Sequence, residues 1–168
     1  RAIMDVNSTA VGYSCLELRH VGARPGQDAY GARFKNSGGG VCGSIFLGQS
    51  TAAFNTSSDY RLKENVVAIS DGITRLKTLK PYRFNWIEEK GQPKVDGFFA
   101  HEVTAVPEAI KGTKDQVDEN GNPEYQQIDH SKLVPLITAA LQEAITKIEN
   151  LEQDNIALRA RLTNLEGN

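Results

Sequence analysis

A chain of 168 residues suits one domain, or a small domain with an appendage, and is too short for a large multidomain enzyme. With 19 Lys and Arg against 21 Asp and Glu the net charge is -2, so no global basic surface points to nucleic acid or to an anionic membrane. No apolar run nears the roughly 18 residues that span a bilayer, and the opening RAIMDVNSTA lacks the basic-then-apolar plan of a signal peptide, so a soluble chain without membrane insertion is expected.

Composition divides the chain near position 57. Residues 1–57 hold nine of the 15 glycines but only eight of the 40 charged residues (19 + 21), and the remaining glycines and charges lie beyond. Short alternating bursts, Tyr30-Gly-Ala-Arg-Phe34-Lys and Ser44-Ile45-Phe46-Leu47-Gly48, are separated by glycine-rich turns such as Gly38-Gly39-Gly40 and predict short strands. Tyr13, Leu16, Leu18, Tyr30, Phe34, Ile45, Phe46 and Leu47 make the segment too apolar for a linker. They are too few for a sheet stable on its own, so pairing with other chains or with a longer β-structure is expected. Cys15 and Cys42 lie far apart without CxxC or Cys/His spacing, which fits neither a disulfide framework nor a metal site and makes a reducing compartment the easier home. No cofactor is expected.

The second part opens on Ser58-Asp59-Tyr60-Arg61-Leu62-Lys63. Asp71 is then placed to cap a short helix with apolar positions at Ile73, Leu76 and Leu79, ended by Pro81. Tyr82, Phe84 and Trp86 alternate as one face of a strand. Gly97-Phe-Phe-Ala-His101-Glu-Val103 reads as a strand end leading to a helical turn or two near Pro107, and Asn120-Gly121 within 115–128 signals a hairpin. Residues 116–127 faintly echo a calcium loop through Asp118, Asn120 and Gly121, but Gln116 and Gln127 stand where its first and its bidentate carboxylate ligands belong. A small mixed α+β domain is predicted.

From about 133 to 166 the pattern is helical, with no Gly or Pro after Pro135. Roughly 34 residues at 1.5 Å each make a rod of about 50 Å, longer than so small a domain can cover. Placing Leu141, Ile148, Asn155 and Leu162 at heptad position a puts Ala144, Leu151, Leu158 and Leu165 at position d. In a parallel coil each g residue meets the e residue five positions on, and Lys147 with Glu152, Asp154 with Arg159 and Arg161 with Glu166 are all opposite in sign. Each exposed pair is worth about 0.5 kcal/mol, enough to bias orientation. A parallel homo-oligomer is expected, with Asn155 as a register pin, and the heptads alone leave dimer and trimer open.

Ser58 and Lys63 are the chemical candidates. A serine hydroxyl is a poor nucleophile until a base takes its proton, and only a neutral lysine can do so. At the ordinary lysine value near 10.4, about one in a few thousand is neutral at pH 7, so a desolvated site or cationic neighbours such as Arg61 are required. Ser-x4-Lys by itself is a weak motif, but this one sits at the composition break. His20 and His130 show no partner spacing, and no GxSxG elbow supports an ordinary serine hydrolase.

Four blocks in order, Ser58-Asp-Tyr-Arg-Leu-Lys-Glu-Asn-Val66, Leu79-Lys-Pro-Tyr-Arg-Phe-Asn-Trp86, Gly97-Phe-Phe-Ala-His-Glu-Val103 and Ile128-Asp-His-Ser-Lys-Leu-Val-Pro-Leu136, resemble the self-cleaving C-terminal intramolecular chaperone of phage tail spikes and tail fibres, as in endosialidase tailspikes. The resemblance covers 58–168. It implies a homotrimer that helps its own β-rich stalk to fold and then frees itself with a Ser-Lys peptidase activity; position and composition make 1–57 the expected C-terminal end of that stalk. Carried over, the nucleophile is Ser58, the base Lys63 and the scissile bond Ser57–Ser58, with Asp59, Arg61 and His101 as candidate supporting residues. The implied setting is a virion tail fibre assembled in the bacterial cytoplasm, from which the chaperone part is released. His101 is either a carbonyl-polarising group or a structural histidine. The alternative function is a non-catalytic trimer cap or receptor-binding tip that remains attached to the fibre.

Overall fold

The computed structural model describes residues 29–48 and 50–166. Tyr13, Cys15, Leu16, Leu18 and His20 lie outside the described residues. The fold is α+β: small antiparallel sheets, short 3-10 turns and one long C-terminal helix. Two compact units divide at Val66, so Ser58 and Lys63 belong to the unit that holds the upstream strands.

In the first unit β1 (Ala29–Lys35), β2 (Val41–Leu47) and β3 (Ala52–Thr56) form an antiparallel meander in sequence order. The predicted glycine turn closes β1 onto β2: Asn36 N–H donates to Gly40 O, and Gly39 adopts φ +81, which its missing side chain permits. Gly43 lies so close to β3 that a Cβ would stand 2.9 Å from Asn55 O. Ile45 faces Phe54 across the β2–β3 ladder, and Phe34 and Phe54 remain exposed. Among the described residues these two rings are left uncovered, in keeping with the segment's few apolar residues.

In the second unit α1 (Gly72–Leu76) is followed by β4 (Tyr82–Phe84), paired with β5 (Val95–Gly97). The strand expected over 82–86 stops at Phe84, leaving Trp86 beyond it, but its aromatics do gather: Tyr82 lies 4.9 Å from Phe99 and Phe84 meets Trp86 edge to face at 5.3 Å, measured between ring centroids. β6 (Ile110–Lys111) pairs with β7 (Gln127–Ile128), and between them Asn120-Gly121 makes the expected turn, closed by Gly121 N–H to Asp118 O and one bridge from Val117 to Pro123. Val103, Val106, Ala109, Leu133 and Leu136 form the core, ringed by Leu79, Phe98, Ile110 and Ile128. α2 (Val134–Glu166) follows a 3-10 turn over His130–Leu133, with Pro135 in its first turn where no intrahelical donor is lost. Only Leu136, Ala139 and Ala140 of α2 are buried.

The cap of α1 departs from expectation. Asp71 occupies the N-cap position but its side chain makes no capping bond; it pairs with Arg75 instead, at 3.6 Å. The helix donors are taken by Glu143 of α2, whose carboxylate accepts from Gly72 N–H and, at 3.2 Å, from Ile73 N–H. Local sequence favoured an aspartate cap, and a carboxylate seventy residues away replaces it because α1 lies directly on α2. A Cβ on Gly72 would sit 2.5 Å from Ala140 N and 2.7 Å from Ala139 C. Backbone cannot yield, so Gly72→Ala is expected to destabilise the unit by about 1–3 kcal/mol, and thermal unfolding should show a fall of roughly 4–8 °C per kcal/mol.

Candidate active site

The ladder between β2 and β3 does not end with β3. Past the Gly43–Thr56 pair, Ser57 N–H donates to Cys42 O at 2.9 Å and Ser57 Oγ donates to Val41 O at 2.7 Å. The chain then turns through Asp59, which caps a single 3-10 turn, Tyr60–Leu62: its Oδ1 accepts from Arg61 N–H at 2.9 Å. Lys63 closes that turn by donating its own N–H to Tyr60 O at 3.1 Å and leaves it extended. One tight turn therefore folds the side chain five residues on back to its start, and Lys63 Nζ lies 2.8 Å from Ser58 Oγ. Both side chains are exposed.

Arg61 is not a free cation beside the lysine. Its guanidinium grips Asp59 with Nε at 2.9 Å and Nη2 at 2.8 Å, a two-point carboxylate bond. The Arg61 side chain, then its backbone N–H and the charge of Lys63, hold the Asp59 carboxyl below its ordinary value of 3.8. A carboxyl depressed on folding stabilises the turn above 3.8 and loses that contribution as the pH falls below it. A carbon-detected NMR titration should place the Asp59 midpoint below 3.8, and Arg61→Ala should move it back toward that value.

His101 belongs to the second unit, where it is exposed and stacks on Phe99 with ring centroids 6.0 Å apart. Among the described residues it makes no side-chain hydrogen bond. The sequence patterns missed a polar cluster beside it. Lys80 Nζ donates to Glu102 Oε1 at 3.1 Å. Glu102 Oε2 is buried and has no hydrogen-bond partner among the described residues. Tyr82, ahead of Lys80, lowers the Glu102 pKa, and the Tyr82 phenol is itself raised by Glu102. The cluster ties the start of β4 to the 3-10 turn after β5 and is structural. Its signal was three polar positions on two aromatic-rich segments, which periodicity treats as noise.

These features define a class: a β-meander running without interruption into a serine-lysine turn, then an α+β unit that carries a long helix with an uncovered apolar stripe. Residues 58–111 match the model of a peptidase family described as the chaperone of endosialidase. The match begins on Ser58 and extends through α1, β4 and β5 to the end of β6, so three of the four blocks read from sequence lie inside it. No curated protein matches the chain. Among the described residues no helix is long and apolar enough to cross a membrane.

Proposed function

We propose that the chain is a homotrimeric intramolecular chaperone, joined through Ser57–Ser58 to the last part of its fibre client, that releases itself by one autoproteolytic event. The observation that carries this reading is the 2.8 Å contact between Lys63 Nζ and Ser58 Oγ at the residue where the family match begins. At that distance a neutral amine can accept the hydroxyl proton. Ser58 Oγ then bonds to the Ser57 carbonyl carbon, the Ser57–Ser58 C–N bond breaks, and the proton held on Lys63 passes to the departing Ser58 amine. Water hydrolyses the resulting ester, leaving a carboxylate on Ser57 and restoring the Ser58 hydroxyl.

Assembly supplies what the single chain lacks. The heptad positions Leu141, Ile148, Leu151, Leu158, Leu162 and Leu165 are all exposed in one chain, and a parallel coil of three helices would bury them. Interwound β-chains have high contact order and a costly first encounter of chain ends, and a coil that forms early raises the local concentration of those ends toward millimolar. Removing the template afterwards makes folding one-way, because an unfolded fibre has lost the device that set its register. The client is the stalk to which residues 1–57 belong, and the setting is phage tail-fibre assembly.

The rival reading, a cap that stays attached, draws support from the exposure of Ser58 and Lys63 and from the pairing of Arg61 with Asp59, which leave the lysine hydrated and without a free cationic neighbour. Intact-mass measurement and sizing of freshly expressed protein separate the two. Autoproteolysis yields a trimer and a fragment that begins at Ser58; a chain that stays whole while trimeric establishes the cap.

A further inference from the structure

We propose that Ser57 is a positioning residue whose hydroxyl ties cleavage to completion of the β2–β3 hairpin, an inference that rests on the autoproteolysis reading. The residue that bears the scissile carbonyl is held twice to β2, through Oγ to Val41 O at 2.7 Å and through N–H to Cys42 O at 2.9 Å. These bonds fix its backbone and side chain as the last rung of the ladder. Its carbonyl carbon is bonded directly to Ser58 N, at the start of the turn in which Lys63 Nζ meets Ser58 Oγ at 2.8 Å, so holding Ser57 restricts the orientation of the bond to be cut. Attack on a carbonyl tolerates little misplacement, and an error of about 1 Å costs on the order of a hundredfold in rate. An unpaired β3 leaves the Ser57 carbonyl to sample many orientations, whereas a paired β3 presents one. Cleavage thereby waits for the last strand of the client to dock, and the chaperone is not released from an unfinished sheet.

Gly43 provides an independent handle. A Cβ at this position would lie 2.9 Å from Asn55 O, so Gly43→Ala forces β2 from β3 beside the clamp without touching Ser58 or Lys63. The experiment follows, in the full chain, the first-order appearance of the fragment that starts at Ser58. Ser57→Ala should slow it about tenfold with the pH profile unchanged in shape, because the base is untouched. Ser57→Thr, which keeps the hydroxyl and suits a strand, should restore the rate to within about threefold, and Gly43→Ala should be as slow as Ser57→Ala. In an uncut Ser58→Ala background, hydrogen exchange at the Ser57 amide should quicken about tenfold when Ser57→Ala is added. Equal rates for Ser57→Ala and the parent, a Thr variant as slow as the Ala variant, or unchanged exchange would each overturn the clamp while leaving autoproteolysis standing. A parent chain that never cuts overturns the autoproteolysis reading itself, and the clamp as a gate falls with it.

Discussion

Lys63→Ala should yield a chain that folds and assembles but is cut at least about a hundredfold more slowly, since a positioned general base contributes roughly 10²–10⁴. Ser58→Ala should abolish cutting, because no second hydroxyl takes the place of Oγ at 2.8 Å from Nζ. The decisive comparison is Lys63→Arg. Arginine keeps the positive charge and the reach but holds its proton under all ordinary conditions, so it can stabilise charge and cannot accept the serine proton. It should therefore be as inactive as alanine. Intact-mass time courses on the three variants read this directly, with sizing to confirm that each remains assembled. An arginine variant that cuts at the parent rate would show that charge alone is needed, and the serine-lysine mechanism would be wrong.

Why the pair was only half legible follows from the turn. A spacing of five belongs to neither helix nor strand, so periodicity gives no reason for Ser58 and Lys63 to meet. The deciding residue is Asp59, whose carboxylate caps the 3-10 turn and grips Arg61, the same residue that from sequence looked available to act on Lys63. Where one element dominates a long window, the sequence is a good guide. The segment after Pro135 contains no breaker, and the helix runs unbroken to Glu166. Tyr82 to Phe84 alternates, and a strand forms there. Ala52–Thr56 went unseen because AAFNT has no alternation; pairing with β2, rather than any pattern of its own, makes it a strand. The Glu143 cap on α1 is invisible for the same reason, since distant contacts leave no local signature. The hold on Ser57 combines both problems: it is an ordinary serine until β2 brings Val41 and Cys42 beside it.

The second large effect is expected in α2. Leu151 and Leu158 keep 60% and 58% of their surface exposed in a single chain, at successive d positions of the heptad. Burying a leucine is worth about 1.5–3 kcal/mol, and a trimer repeats each position three times, so one layer carries on the order of 5–9 kcal/mol of association. Leu151→Asp removes that term and sets three carboxylates around the axis, where mutual repulsion and lost hydration oppose assembly further. At about 1.4 kcal/mol per tenfold, the proposed trimer should fall apart to monomer at micromolar concentration in sedimentation velocity. Asn155 supplies the contrasting arm. In one chain its Nδ2 donates back to Leu151 O at 2.8 Å, and replacing this polar group at an a position by Asn155→Leu should tighten association while blurring the choice of register and strand number. If assembly desolvates the Lys63 amine, as the chemistry requires, Leu151→Asp should also stop the fragment from appearing, although residue 151 lies far along the chain from the bond being cut. A Leu151→Asp monomer that cuts at the parent rate would show that the turn acts alone, and the coupling between α2 and the Ser58–Lys63 turn would have to be abandoned.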